Sequence, residues 1–473
     1  MKLRSRTINS PSDANHMRWA ALPAEIRLTI LEQAEIGNIQ AHDLSNWARV
    51  SREWQTFFEP QIFQHLKLQF PGSDIDDLNS SVHSYRRHLV KKISLHVRTE
   101  EYDCVDEFDR PETRDTIKAN NKLFSQALKK LFVSLSTWSS GSPTGGIKLS
   151  LSAGSPSDSG HPLKPYTGTE RSQYDRMRIW SLSSRQRLLG NLLDASSGTL
   201  KLPQVSVVNR FSVNQYRYRS LSRALLAKVL HSLPRLKSIR YEPWHAITRD
   251  EQFPRDEAMI IMLECASELA MIKSVHIWEA QSSLHENPRF LRFCNDYLVS
   301  TAVNASYRLR YFSLCHAVDA RDFFQHASRD VPANSSESSD GLRTWPILKY
   351  LALTTHIGDL VSSPSALERL LLQASRAAVR MPLLRVMEIW APGAGKGIIF
   401  RYHVRKGSPL LTVIATWQLA LSKEALISWK QVAASYTKRE LTCDVKLVGS
   451  GTTMSDSPYA LYHLLELGPQ LRE

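Results

Sequence analysis

The chain has 473 residues, of which 42% are hydrophobic and 22% charged, a balance that suits globular domains and excludes a chain too polar to bury a core. That length suits about three average domains, or one elongated repeat domain with a small partner. Net charge is +14, from 60 Lys+Arg against 46 Asp+Glu. The basic residues are spread throughout, with a mild concentration from Arg210 to Arg249, which predicts a solvated basic surface and argues against nucleic acid as the partner.

No run of 18 apolar residues occurs, and the nearest stretch, Leu410 to Leu421, is broken by threonines, Trp417 and Gln418, so no membrane partner is expected. The opening MKLRSRTINSPSD has no apolar core behind its charges, which predicts a cytoplasmic or nuclear protein that is not secreted. Five scattered cysteines (Cys104, Cys265, Cys294, Cys315, Cys443) form no CxxC pair. Neither a disulfide framework nor a zinc site is expected, and no cofactor.

In chain order, Leu22 to Pro60 comes first, within a small helical domain expected over 18–60. Pro23 suits a helix start and Glu25 its first turn. Ile26, Ile30 and Leu31 make one apolar stripe. Gly37 and Asn38 break it, Asp43 is the expected cap of a second helix, and Leu44, Trp47, Ala48, Val50, Trp54, Phe57 and Phe58 continue the apolar series. Some of these large groups should stay exposed as a partner surface, because so small a bundle cannot enclose them all.

After a connecting segment at 61–88, a repeat emerges. LPRLKSIRYEPW, LAMIKSVHIWEA, YRLRYFSLCHAV, WPILKYLALTTH and MPLLRVMEIWAP share an apolar anchor, a basic residue and an apolar alternation. The anchors Leu236, Ile272, Leu309, Leu348 and Leu384 lie about 36 to 39 residues apart, a repeat-protein period. Helical patterns precede the strands, as at Leu221, Leu225, Val229 and Leu233, or in SALERLLLQASRAAVRM. Helix alternating with strand predicts an α/β solenoid similar to leucine-rich repeats, with parallel strands backed by helices. Its expected span is 89–397, with weaker copies at LVKKISLHV and LPQVSVV, loop insertions near 134–172 (around one short strand-like run, IKLSLS, at 147–152) and 331–341, and 398–473 completing or capping it. The residues between the buried pair of each strand, Arg240, His276, Ser313, Ala352 and Glu388, are expected on the concave side as a candidate target-binding face. They share no charge or shape theme.

GAGKG, at 393–397, invites a phosphate-binding reading. A P-loop needs GxxxxGK followed by Ser or Thr, whereas Trp390 stands five before Gly395 and Gly397 follows Lys396. Beyond it Ile398, Phe400, Tyr402 and Val404 alternate as a strand rather than opening a helix. The glycines therefore read as a loop between strands. HExxH and GxSxG are also missing from the sequence, and single histidines such as His276 and His356 read as packed or surface groups, so no catalytic residue is expected. Trp244, Trp278 and Trp390 recur at strand ends, which predicts packing or rim roles.

The N-terminal segment, LPAEI, then IL, then VSREW, resembles the F-box, and the continuation through FQHLKL, RRHLVKKISL and FRYH is similar to uncharacterised fungal F-box proteins. The resemblance implies a non-catalytic substrate receptor of a Skp–cullin–F-box (SCF) ubiquitin ligase. It implies that Leu22, Pro23, Ile26, Ile30, Leu31, Val50 and Trp54 contact the Skp adaptor, and through it a cullin, while the solenoid holds an unknown target protein. The residues alone leave two other readings open. One is an F-box-bearing scaffold with no ligase role, the other a basic repeat protein contacting nucleic acid through Arg210–Arg249.

Overall fold

The computed structural model describes residues 19–36, 41–103, 110–138, 145–159, 187, 190–195, 200–214, 219–244, 249–279, 292–329, 343–393, 396–448 and 461–467. The chain divides into two compact units at Leu66/Lys67.

The first unit is helical. A 3-10 turn at Trp19–Ala21 precedes α1 (Ala24–Ile36), α2 (Ala41–Trp47) and α3 (Arg52–Phe63). Ser51 caps α3, its side chain accepting from the Trp54 amide at 3.4 Å, which satisfies one of the free amides of the first turn. Asp43, the expected cap of α2, lies inside that helix. Gly37 and Asn38 lie outside the described residues. Leu31 and Phe58 are buried, and Phe58 meets the rings of Trp47, Trp54 and Phe57 at 5.3, 5.7 and 4.9 Å. These tilted and edge-on contacts suit aromatic quadrupoles.

One twelve-stranded sheet, whose strand order follows the sequence from β1 to β12, makes up the second unit, its first strand beginning two residues before the division. The strands are β1 (His65–Phe70), β2 (Lys92–Arg98), β3 (Ile147–Gly154), β4 (Val208–Val213), β5 (Ser238–Tyr241), β6 (Ser274–Trp278), β7 (Tyr311–Asp319), β8 (Tyr350–Thr354), β9 (Val386–Pro392), β10 (Gly397–Arg405), β11 (Ser408–Ala415) and β12 (Thr442–Leu447). From β2 to β9 each described pair is parallel. Parallel neighbours need crossovers, and these have one favoured hand. Steady progress in one direction therefore puts every crossover helix on the same face.

The helices accordingly form a single layer. After α4 (Asp74–Ser81) and α5 (Arg114–Ser136) come α6 (Arg223–His231), α7 (Arg249–Glu268), α8 (Asp296–Ser306), α9 (Ala320–Arg329), α10 (Ile357–Ser362), α11 (Pro364–Ala378) and α12 (Lys423–Tyr436). Consecutive helices from α6 to α9, then α9 with α11 and α11 with α12, pack side by side. Thr113, Ser222, Asn295 and Ser422 cap α5, α6, α8 and α12 through their side chains. Facing the helices, Ile93, Leu149, Phe211, Ile239, Val275, Phe312, Leu351 and Met387 stand in register and are all buried. The result is a mixed α/β, solenoid-like architecture. Among the described residues no helix is long and apolar enough to cross a membrane.

The five repeats correspond to β5–β9, and their anchors Leu236, Ile272, Leu309, Leu348 and Leu384 are buried. Several boundaries differ. The sheet begins at β1, inside the stretch expected to be a connector. The insertion expected near 134–172 starts later, since Ser134 and Leu135 are buried in the last turn of α5, and its strand-like run at 147–152 is a sheet strand, Ile147–Gly154. LPQVSVV supplies only the first residue of β4, Val208. The 331–341 insertion lies outside the described residues. GAGKG joins β9 to β10, which pair antiparallel with Gly397 opposite Pro392; Ala394 and Gly395 are outside the described residues. A two-residue turn then links β10 to antiparallel β11, with Lys406 and Gly407 at φ of 48° and 76°, the left-handed pair that suits a tight hairpin. β12 returns to parallel pairing.

Candidate functional site

Of the residues expected to meet an adaptor, Pro23, Ile26, Ile30 and Val50 are exposed, Val50 at 62%. Ile26 and Ile30, four apart, share one face of α1. Leu22 and Trp54 are half-buried, and Trp54 lies 5.5 Å from Trp19, ring to ring. Leu31 departs from the rest. It is 3% exposed, so it serves the interior and offers nothing to a partner. Glu53 anchors the edge of this cluster, accepting from Trp19 Nε1 at 2.8 Å and pairing with Arg27 at 3.3 Å. Leu28, also exposed, was not among the expected residues.

The five residues expected on the concave side do form one row on the face opposite the helices: Arg240, His276, Ser313, Ala352 and Glu388 are register partners on β5–β9. The row continues through Arg401 and Thr412 to Asp444, and backwards through Ser212, Ser150 and Ser94. It is not an open binding face along that length. His276, Ser313, Ala352 and Glu388 are all buried, and Arg240 is tied to Glu242 at 2.5 Å.

What covers the row near β8 and β9 is the chain itself. Residues 461–467 lie across this face instead of capping the last repeat. Glu388 accepts from the backbone amides of Glu466 and Leu467 at 2.8 and 3.0 Å, and Arg401 from the next strand both pairs with Glu388 at 2.6 Å and donates to the Leu464 carbonyl. Leu461 and Leu465 pack with Trp278, Cys315, Trp390, Ile399 and Ile414, while Leu467 packs with Ala352 and Val386. Glu466 bonds to His403 at 3.0 Å and Arg405 at 2.9 Å. Burial opposes its ionisation, but the Arg405 and His403 contacts outweigh that and hold its carboxyl below the ordinary range. Gly397 is part of the fit, since a Cβ there would sit 2.4 Å from Leu461 Cδ1. In the sequence this stretch falls within 398–473, the part expected to complete or cap the solenoid. Its one signal was the leucine series in LYHLLEL.

A separate cleft of about 480 Å³ lies between α11, the β9–β11 hairpins and α12, lined by Leu383, Leu384, Tyr402 and Val432 among others. Among the described residues no group of three or more His, Cys, Asp or Glu side chains could hold a metal ion.

The class defined by this geometry is an α/β solenoid-like protein with a small helical unit before it. Compared with known families, residues 269–470 match a model described as "Family of unknown function (DUF6546)". That span holds β6 to β12 together with the returning segment at 461–467, so the match encloses both halves of the Glu388 clamp. No curated protein matches the chain.

Proposed function

We propose that this chain is a non-catalytic substrate receptor of an SCF-type ubiquitin ligase, resembling F-box proteins with a leucine-rich-repeat-like region. In this reading the helical unit docks on the Skp adaptor and through it a cullin. The solenoid-like unit holds a target protein in the cytoplasm or nucleus. The chain supplies position and no nucleophile, since proximity to a charged ubiquitin-carrying enzyme does the work. The observation that carries the reading is the exposure of Ile26, Ile30 and Val50 within the LPAEI…VSREW segment, apolar side chains that a stable free bundle would rather cover.

The test is co-purification with the Skp adaptor, using Ile26→Asp/Val50→Asp as the disabled form. Both positions are exposed, so the variant should keep its circular dichroism spectrum and lose the adaptor. Failure of the intact chain to bind would remove the ligase reading.

A further inference from the structure

The first outward-facing positions of β2, β3 and β4 are Lys92, Lys148 and Arg210, and they are register partners on adjacent strands. Three like charges facing one another across a sheet repel. At about 4.8 Å per strand they span only about 10 Å. Arg240 adds a fourth cation one row further on, opposite Ser212. Glu242 is the carboxylate that opposes them, and Arg240 already engages it through two nitrogens. Neither Lys92 nor Arg210 has an ion-pair partner among the described residues. The next row supplies Ser94, Ser150 and Ser212 in register, and the Ser212 hydroxyl is fully buried without a hydrogen-bond partner.

Like charges in register across adjacent strands favour a dense negative charge placed between them. We propose that the row of Lys92, Lys148 and Arg210 at the start of β2–β4 is a binding site for a compact polyphosphate-class anion, which these three cations hold from adjacent strands. The site stands apart from the adaptor-binding reading and from the surface covered by 461–467. Its size favours a small anion over nucleic acid, because a duplex binder typically engages about 6–10 phosphates, and four cations, one of them already paired, cannot do so.

The charge environment agrees with the geometry. Burial first, then Arg240, Lys92 and Arg210, lower the Lys148 ammonium to about 8, with Glu242 acting the other way. His96, four residues beyond Lys92 on β2, is bonded to Ser152, with Asp158 also near it across Gly154. Affinity for an anion should therefore decline as pH rises through about 8 and Lys148 sheds its proton.

The experiment is calorimetric titration of the intact chain with inorganic tripolyphosphate at about 0.15 M salt, where long-range attraction is screened. Lys148→Gln/Arg210→Gln should weaken binding at least tenfold. Lys349→Gln/Arg385→Gln, at a second group of basic residues near strand starts, should leave it unchanged. Thermal melts run in parallel guard against misfolding: tripolyphosphate should raise the Tm of the intact chain and not that of Lys92→Gln. No binding by the intact chain, or equal loss in both double variants, overturns the site. Displacement of tripolyphosphate by a short single-stranded RNA at equal phosphate concentration overturns the compact-anion reading.

Discussion

The indole rings of Trp278 and Trp390 stack at 5.5 Å, although they rise from β6 and β9 with two strands between them. They meet because the intervening register positions carry small side chains, Cys315 beside Trp278 and Thr354 beside Trp390. His316, at a φ of 64°, sits edge-on to both rings at 5.2 and 5.1 Å. A left-handed backbone at a non-glycine residue carries strain, and here it accompanies an irregular pairing after Leu314 that turns the imidazole onto the stack.

Trp390 is 1% exposed, so Trp390→Ala leaves a large void beneath Leu461 and Leu465. Losses of about 3–5 kcal/mol accompany such truncations. Urea unfolding should show a loss of that order. Trp244→Ala, at a half-buried position, should cost distinctly less.

Glu388→Ala strips the acceptor from two amides and leaves the Arg401 guanidinium, 11% exposed, without its principal partner. Breaking a buried pair on one side costs about 3–5 kcal/mol. Hydrogen exchange read residue by residue should show the amides of Glu466 and Leu467 losing protection first. Unchanged protection there would contradict the clamp.

Glu466 makes the seating of this segment pH-sensitive. Its carboxyl is held below the ordinary value when folded, so the folded form binds its proton less readily than the released form. The contribution is complete above the ordinary carboxylate pKa and is lost as pH falls through the depressed folded value. Limited proteolysis after Leu447 should accelerate in acid, and Glu466→Gln should flatten that response.

In the helical unit, burial separates residues that the motif groups together. Leu31→Ala should destabilise by about 2–5 kcal/mol, the range for a buried leucine. Ile26→Ala, 48% exposed, should fall within about 0.5 kcal/mol of the parent. Thermal melts of the full chain compare the two directly.

The parts legible in sequence were those with local periodicity. The anchors from Leu236 to Leu384 kept step because each strand repeats its own helix and turn, and β5–β9 followed. β3 was half-legible: IKLSLS at 147–152 reads as a strand-like run, with Leu149 and Leu151 inward and Ser150 and Ser152 on the other face, but the flanking Ser, Gly and Pro set it within an expected loop insertion and hid its place in the sheet. The cationic row was illegible, because Lys92, Lys148 and Arg210 become neighbours only once the register of β2, β3 and β4 is known. The seating of 461–467 was equally hidden. Its partners Glu388 and Arg401 lie 63 to 79 residues earlier, and no local pattern encodes that meeting.

The same returning segment changes how the solenoid can come apart. Repeat arrays couple mainly to nearest neighbours, so they can fray one unit at a time from an end. Here Leu461 and Leu465 reach Trp278 on β6 as well as Ile414 on β11, fastening strands five positions apart with one strap. The terminal repeats then cannot peel in sequence. They must open together once the strap has left, which turns a one-dimensional stack into a single cooperative block over the half of the chain that ends it.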